Sequence, residues 1–131
     1  MFSFVAVITA IGAHLAEYSS THLFNPAWTG HAKYHAGHTM ALSGLLGAFT
    51  LFFAWRPGGD VLTNLLAAAG FASIYWISQS VAILYPNTLF FDPEFDLPKN
   101  YIMGLPAQLM FQIVFLSITL IALLWGLREI R

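Results

Sequence analysis

The chain has 131 residues, of which 58% are hydrophobic and only 8% charged, and its formal net charge is -1. A soluble domain carries roughly 25% charged residues, and nucleic-acid binding requires a basic excess, so a soluble enzyme, a disordered segment and a nucleic-acid binder are excluded as leading interpretations. Because the sequence has no cysteine, disulfides, iron–sulfur clusters and thiolate catalysis are excluded as well, and a membrane protein is predicted.

Four apolar stretches are each long enough to cross the hydrocarbon core of about 30 Å as a helix. They are continuous runs without period-two alternation, which favours helices over barrel strands. We therefore predict an all-α fold, an integral membrane four-helix bundle, with one transmembrane domain covering residues 1–131. The predicted spans cover residues 2–20, 37–55, 61–85 and 105–127, within a few residues at each end.

The first span begins the chain but does not have the pattern of a signal peptide. It lacks a basic leader, and His14 and Glu17 occupy positions where an apolar segment and a cleavage site are expected, so we expect it to be retained. A tight turn at residues 56–60 separates the second and third spans, and Asp60 is a favourable N-cap for the third helix.

The basic residues predict that both termini face the cytoplasm. The turn at 56–60 and the segment 128–131 hold three arginines, whereas the loops at 20–36 and 86–104 hold only Lys33 and Lys99. By the positive-inside rule the arginine-rich side is cytoplasmic. We expect an inner or plasma membrane location.

In this orientation the strongest hydrogen-bonding side chains of all four helices fall in the outer half of the bundle. Such groups are expensive in lipid and usually face the bundle interior or a wet cavity. Interhelical hydrogen bonding, worth about 0.6 kcal/mol each, is the alternative use of these side chains. We predict a polar cavity that opens outward and binds a ligand through Gln79, Gln108, Gln112, His38 and Asn25.

All five histidines lie between residues 14 and 38. If residues 31–38 are helical, His31, His35 and His38 share one face, and the short connection before them folds this face toward the end of the first span. Imidazoles with one carboxylate suit a divalent metal, either zinc or non-haem iron, although no zinc-protease pattern and no full set of desaturase histidine boxes is present. The predicted metal ligands are His22, His31, His35 and Glu17.

Three other uses of this cluster stay open. Glu17, His14 and His35 could act as catalytic acid and base on a lipophilic substrate without a metal. Bis-histidine haem ligation is a less favoured alternative. Loop histidines can also simply hydrogen-bond backbone carbonyls and lipid headgroups.

The loop 86–104 alternates apolar and acidic side chains. We expect its apolar half to lie over the mouth of the bundle as a lid, to sit in the headgroup layer, or to dock on another protein. The acids are expected to form a solvated face, with cation binding as the alternative. The apolar residues are Leu89, Phe90, Phe91, Phe95 and Leu97, and the acids are Asp92, Glu94 and Asp96.

Two functions follow from these features. The first is a multi-pass membrane protein that binds or acts on a lipophilic small molecule at the histidine and glutamate site. The alternative is a non-catalytic accessory subunit of a larger membrane complex or a homo-oligomer, favoured by the small-residue pairs Ser43/Gly47 and Ala68/Ala72, which allow close helix approach. A transporter or channel ranks third, since no charged ring or broken-helix pair is evident.

The segment 16–35 contains Thr-His-Leu-Phe-Asn-Pro-Ala-Trp followed by His-Ala-Lys-Tyr-His. It resembles the signature of a family of small, uncharacterised four-helix membrane proteins, and the resemblance extends over about the first 55 residues. It implies the four-span topology but no reaction. A looser, architectural similarity links the chain to the sterol-isomerase and sigma-2 receptor group. The family resemblance points to Glu17, His22, Asn25, His31 and His35.

Overall fold

A computed structural model describes residues 1–130 of the chain, and Arg131, one of the arginines used to predict orientation, lies outside them. Within this range the polypeptide forms four α-helices, so the all-α, four-helix prediction is confirmed. The last three are long and apolar enough to cross a membrane, whereas the first is a shorter apolar helix. The helices are α1 (Phe2–Glu17), α2 (Gly30–Trp55), α3 (Val61–Ala82) and α4 (Ala107–Glu129).

Side-chain caps fix where α2 and α3 begin. The Thr29 hydroxyl accepts a hydrogen bond from the backbone N–H of Ala32 at 3.2 Å. The Asp60 carboxylate accepts one from the backbone N–H of Thr63 at 2.7 Å. Each cap satisfies a backbone donor that would otherwise have no partner in the first helical turn, and the predicted capping role of Asp60 is confirmed.

Helix α2 begins at Gly30, well before the predicted start of the second span near residue 37. The first turns are rich in histidine and other polar residues, so an apolar run cannot reveal them. Thr29 starts the helix there by capping it. As a result residues 31–38 are helical, which was the condition for the shared face of His31, His35 and His38.

Two contacts show which helix ends lie together. The indole N–H of Trp55, at the end of α2, donates to the Ser3 hydroxyl at the start of α1 at 2.8 Å. Gly126, near the end of α4, lies against Leu65 in the second turn of α3, since an added Cβ would fall 2.6 Å from its Cδ1. We call the end of the bundle where α1 and α3 begin and α2 and α4 end the terminal end. The opposite end, with the connections 18–29 and 83–106, is the loop end.

The core is built where α1, α3 and α4 meet. Trp76 is its centre: its ring stacks on Phe115 with centroids 4.6 Å apart, and Val5 and Ala72 are buried in the same cluster. Its indole N–H donates to the buried Thr9 hydroxyl at 3.0 Å. The polar atom of the largest core side chain is therefore satisfied inside the bundle.

The small residues of α2 and α3 are used inside the chain. Ser43 and Gly47 are buried on α2, and Ala68 and Ala72 are buried on α3. A Cβ added at Gly47 would lie 2.8 Å from the carbonyl oxygen of Ala6, so the two backbones approach closely there. These pairs serve packing within the bundle and are not a free face for a partner.

The loop before α4 contains local structure that the sequence did not predict. Two-residue strands, β1 (Tyr101–Ile102) and β2 (Leu105–Pro106), pair in antiparallel register. Met103 and Gly104 between them have positive φ values of 53° and 82°, the backbone that a tight two-residue hairpin needs. This hairpin ends the loop and leads directly into α4.

Candidate functional site

Two adjoining cavities lie at the loop end of the bundle. The larger, about 470 Å³, lies between the α1–α2 connection, the loop 86–104 and the start of α4. The smaller, about 180 Å³, continues toward the end of α3 and the start of α4. They share Leu89, Phe90 and Gln108 as lining residues, and we treat them as one site, the glutamine cavity.

The structure brings the three predicted glutamines to this cavity. Gln79 on α3 and Gln108 and Gln112 on α4 line the smaller part together. Each has a buried polar atom for which the described residues offer no hydrogen-bond partner: Oε1 of Gln79, Oε1 of Gln108 and Nε2 of Gln112. A buried polar group left unpaired costs about 1–3 kcal/mol. Three such atoms around one cavity indicate a place where a polar ligand group or water fits.

Gln112 lies deepest and is only 1% exposed. The hydroxyl of Ser80, one turn beyond Trp76 on α3, lies 3.0 Å from Gln112 Oε1. The same hydroxyl lies 2.8 Å from the Trp76 carbonyl oxygen. When the single Ser80 hydroxyl proton is donated to Oε1, it ties that end of the Gln112 amide to α3, while Nε2 is buried without a partner beside the cavity that Gln112 lines.

The loop 86–104 covers the cavity, and we call it the lid. Its apolar side chains line the larger cavity, which agrees with a position over the bundle mouth, while the headgroup and docking alternatives stay predictions. The Asn100 amide donates to the Phe95 carbonyl at 2.7 Å. The Tyr101 hydroxyl donates to the Asp96 carboxylate at 2.7 Å, and this hydrogen bond raises the pKa of Tyr101. The lid is thus held in shape by its own contacts.

His22 contributes to the wall opposite the lid. Its Nδ1 lies 2.8 Å from the Thr21 hydroxyl, and its ring meets Trp28 edge-on with centroids 5.1 Å apart. Thr21, His22 and Trp28 all line the larger cavity. Glu17, the last residue of α1, is half-buried and does not belong to the lining of either part of the cavity.

Asn25, predicted as a ligand-binding residue, is buried within the α1–α2 connection. Its Oδ1 accepts from the backbone N–H of Ala27 at 2.9 Å, and its Nδ2 donates to the Thr21 carbonyl at 3.3 Å. Both ends of the amide are therefore engaged locally. In this arrangement Asn25 stabilises the conformation of the connection in which His22 lies.

The remaining histidines lie outside the cavity lining. His14 is exposed on α1, with its Nδ1 2.7 Å from the carbonyl of Ala10. His38 is exposed on α2. His31 and His35, in the first two turns of α2, approach each other with their Nε2 atoms 3.1 Å apart.

The predicted metal ligands are not gathered into one group. Among residues 1–130, no three side chains of histidine, cysteine, aspartate or glutamate lie together in a way that could hold a metal ion. His22 is turned to Thr21, while His31 and His35 pair with each other. Of the four predicted metal ligands, the fold brings His31 and His35 into contact with each other.

Several residues of the cavity were not predicted. Thr21, Trp28 and Asn100 lie in connections between the α-helices, where helical periodicity does not predict the direction of a side chain. Ser80 does not line the cavity but contacts Gln112, which agrees with interhelical hydrogen bonding as the use of an outer-half polar side chain. Lys99 and Asp92 place one charge of each sign at the cavity wall.

Comparison with known proteins identifies the family and leaves the function open. No curated protein and no solved structure matches the chain. The model of an uncharacterised family matches residues 1–131, which confirms the expected membership of an uncharacterised family. The 16–35 motif as a family signature and the sterol-isomerase analogy stay predictions. The chain belongs to the family of unknown function DUF6640.

Proposed function

We propose that the chain is a multi-pass membrane protein whose four helices all cross the bilayer, with both termini in the cytoplasm. Three helices have the length and composition for this, and α1 packs against them. Arg56 and Arg128 flank helix ends at the terminal end, whereas Lys99 belongs to the lid. The positive-inside rule then puts the terminal end in the cytoplasm and the glutamine cavity toward the outer face.

Its function, in this proposal, is to bind a lipophilic molecule with a polar, hydrogen-bonding head in the glutamine cavity. The observation that carries this is the set of unpaired amide atoms of Gln79, Gln108 and Gln112 around one cavity. Aromatic lid side chains provide the apolar part of the wall. Ligand pockets commonly combine an apolar lining with a few polar groups that fix orientation.

If the ligand also undergoes a reaction, His22 is the residue best situated to transfer a proton. It lines the cavity, and its Nδ1 lies 2.8 Å from the Thr21 hydroxyl. A positioned imidazole is the commonest general acid or base. The three predicted catalytic residues, His14, Glu17 and His35, do not line the cavity. Ligand binding is therefore better supported than a catalytic role for these residues.

The accessory-subunit alternative has less support. The small-residue pairs that favoured it are buried inside the bundle. It stays a prediction, since oligomers and partner chains can use other surfaces.

The proposal can be tested with two brominated probes, a long-chain alcohol and the alkane of equal chain length. Bromine quenches the fluorescence of a tryptophan indole that it contacts. Trp28 lines the cavity and reports on binding. In detergent micelles at matched mole fractions, we expect the alcohol to quench Trp28 saturably. The alkane should bind roughly tenfold more weakly, since one hydrogen bond is worth about 1–1.5 kcal/mol.

Variants test whether the preference for the alcohol arises in the glutamine cavity. Gln108→Leu should abolish the preference for the alcohol, because it removes a polar atom that faces the cavity. The matched control is Asn64→Leu, a polar-to-apolar change at the terminal end, where Asn64 donates to the Gly58 carbonyl. Trp28→Phe should remove the quenching signal. Equal quenching by both probes, or an unchanged preference in Gln108→Leu, would refute the proposal.

A further inference from the structure

His31 and His35 form a pair at the start of α2 that the glutamine cavity does not use. Their Nε2 atoms are 3.1 Å apart, and their rings meet edge-on with centroids separated by 4.6 Å. At this distance one Nε2–H donates to the lone pair of the other Nε2. The two Nε2 atoms therefore face each other across a gap that one metal ion bound to both nitrogens could bridge.

The pair is accessible from water. Both side chains are exposed. Helix α2 has 26 residues, so it is about 39 Å long at about 1.5 Å per residue, and the hydrocarbon core is only about 30 Å thick. With the apolar C-terminal part of α2 in the membrane, its first turns extend beyond the core.

We propose that His31 and His35 chelate one divalent transition-metal ion of the imidazole-preferring class, represented by Cu²⁺. With metal–nitrogen bonds of about 2.0–2.1 Å, a separation of 3.1 Å corresponds to a nitrogen–metal–nitrogen angle of about 95–100°. That angle is close to the right angle between neighbouring ligands of tetragonal Cu²⁺, which also has the highest affinity in the divalent series.

Binding needs a change of tautomer and a rotation of both exposed rings, which turns the two Nε2 lone pairs from the line between the nitrogens toward one point beside it. The ring that donates from Nε2 in the free pair moves that proton to its Nδ1 through solvent, and both Nε2 lone pairs then face the metal. No net proton has to leave the protein. Water completes the coordination.

Neighbouring groups hold the two rings in place. The Thr29 cap fixes the helix start, so the i, i+4 spacing of His31 and His35 puts them on one face. The Tyr34 ring lies parallel to His31 and edge-on to His35, with centroids 6.2 Å and 5.7 Å away. Because the positive end of a helix disfavours a cation, we expect an exchangeable ion, not a permanently held one. The site does not rest on ligand binding in the glutamine cavity.

The test is Cu²⁺ titration of the purified full chain, followed by electron paramagnetic resonance. The nitrogen hyperfine pattern should show two imidazoles bound per Cu²⁺ at equimolar metal. His31→Ala and His35→Ala should each reduce the pattern to one nitrogen. Affinity should fall at least tenfold, since even loss of a group that only supports a ligand costs about 10–100-fold.

His38→Ala is the matched control, because it removes the next exposed imidazole on the same helix. It should leave both the pattern and the affinity unchanged, and circular dichroism should show that every variant is folded. A two-nitrogen pattern that persists in the His31→Ala/His35→Ala double variant would overturn the site. So would equal losses in His38→Ala, or no bound Cu²⁺ in the wild type.

Discussion

Gly47 determines how closely α1 and α2 approach. An added Cβ would lie 2.8 Å from the Ala6 carbonyl oxygen and 3.2 Å from the Ala10 Cβ. The first of these atoms belongs to a helix backbone, which cannot rotate away. The absence of a side chain at this position therefore sets the spacing of the first helical pair.

The prediction at this scale is that Gly47→Ala destabilises the bundle. Overpacking of a tight contact typically costs about 1–3 kcal/mol, and we expect a lower midpoint of thermal unfolding in detergent. Gly44→Ala, one turn earlier, is the control: its Cβ would meet only His14 Cε1, at 4.0 Å. It should be neutral or slightly stabilising, because alanine favours helix over glycine. A midpoint for Gly47→Ala equal to that of Gly44→Ala would contradict the close contact.

The start of α3 is fixed by one side chain, the N-cap residue Asp60. The Asp60 carboxylate accepts hydrogen bonds from the hydroxyl and the backbone N–H of Thr63, both at 2.7 Å. These two bonds, the hydroxyl first, lower the pKa of Asp60. A carboxyl whose pKa is lower when folded adds stability above its unfolded pKa and loses it as pH falls through the folded pKa.

We therefore predict a pH-dependent effect of Asp60→Ala. Near neutral pH it should lower the midpoint of thermal unfolding relative to wild type. The difference should begin to shrink below about pH 4, the ordinary aspartate pKa, and should be lost as pH falls through the lower pKa of the folded carboxyl. Asp60→Asn keeps an oxygen that can cap the helix. Its midpoint should be near that of wild type at neutral pH and should not show the acid-dependent loss of the carboxylate cap. An equally large Asp60→Ala effect at pH 7 and pH 3 would argue against the carboxylate cap.

At the scale of the whole molecule, the four-helix architecture was predictable because long apolar runs and turn residues such as Asp60 are local signals. The convergence of Gln79, Gln108 and Gln112 followed from their depth in alternately directed helices. Ring directions were not predictable: His22 turns to Thr21 through local contacts that periodicity does not encode. The start of α2 was missed because polar helical turns carry no apolar signal.

The orientation of the whole molecule gives a further prediction. The chain has no cysteine, so a single introduced thiol can report its side of the membrane. Glu94→Cys, in the lid, should react with a membrane-impermeant thiol reagent added to intact cells. Glu129→Cys, at the terminal end, should react only after the membrane is permeabilised. The reverse pattern would invert the proposed topology, and labelling of both in intact cells would contradict four complete crossings.

If α1 crosses the bilayer as we propose, its shortness has a consequence for the surrounding lipid. Its 16 residues span about 24 Å at about 1.5 Å per residue, less than a hydrocarbon core of about 30 Å. Such hydrophobic mismatch is relieved by local thinning of the bilayer, which would draw outer-leaflet headgroups down beside the end of α1. That is the side on which His22 and Trp28 line the glutamine cavity. Thinned lipid there would shorten the path of an amphiphile from the outer leaflet into the cavity. A membrane that is thinner throughout would need less deformation to match the length of α1.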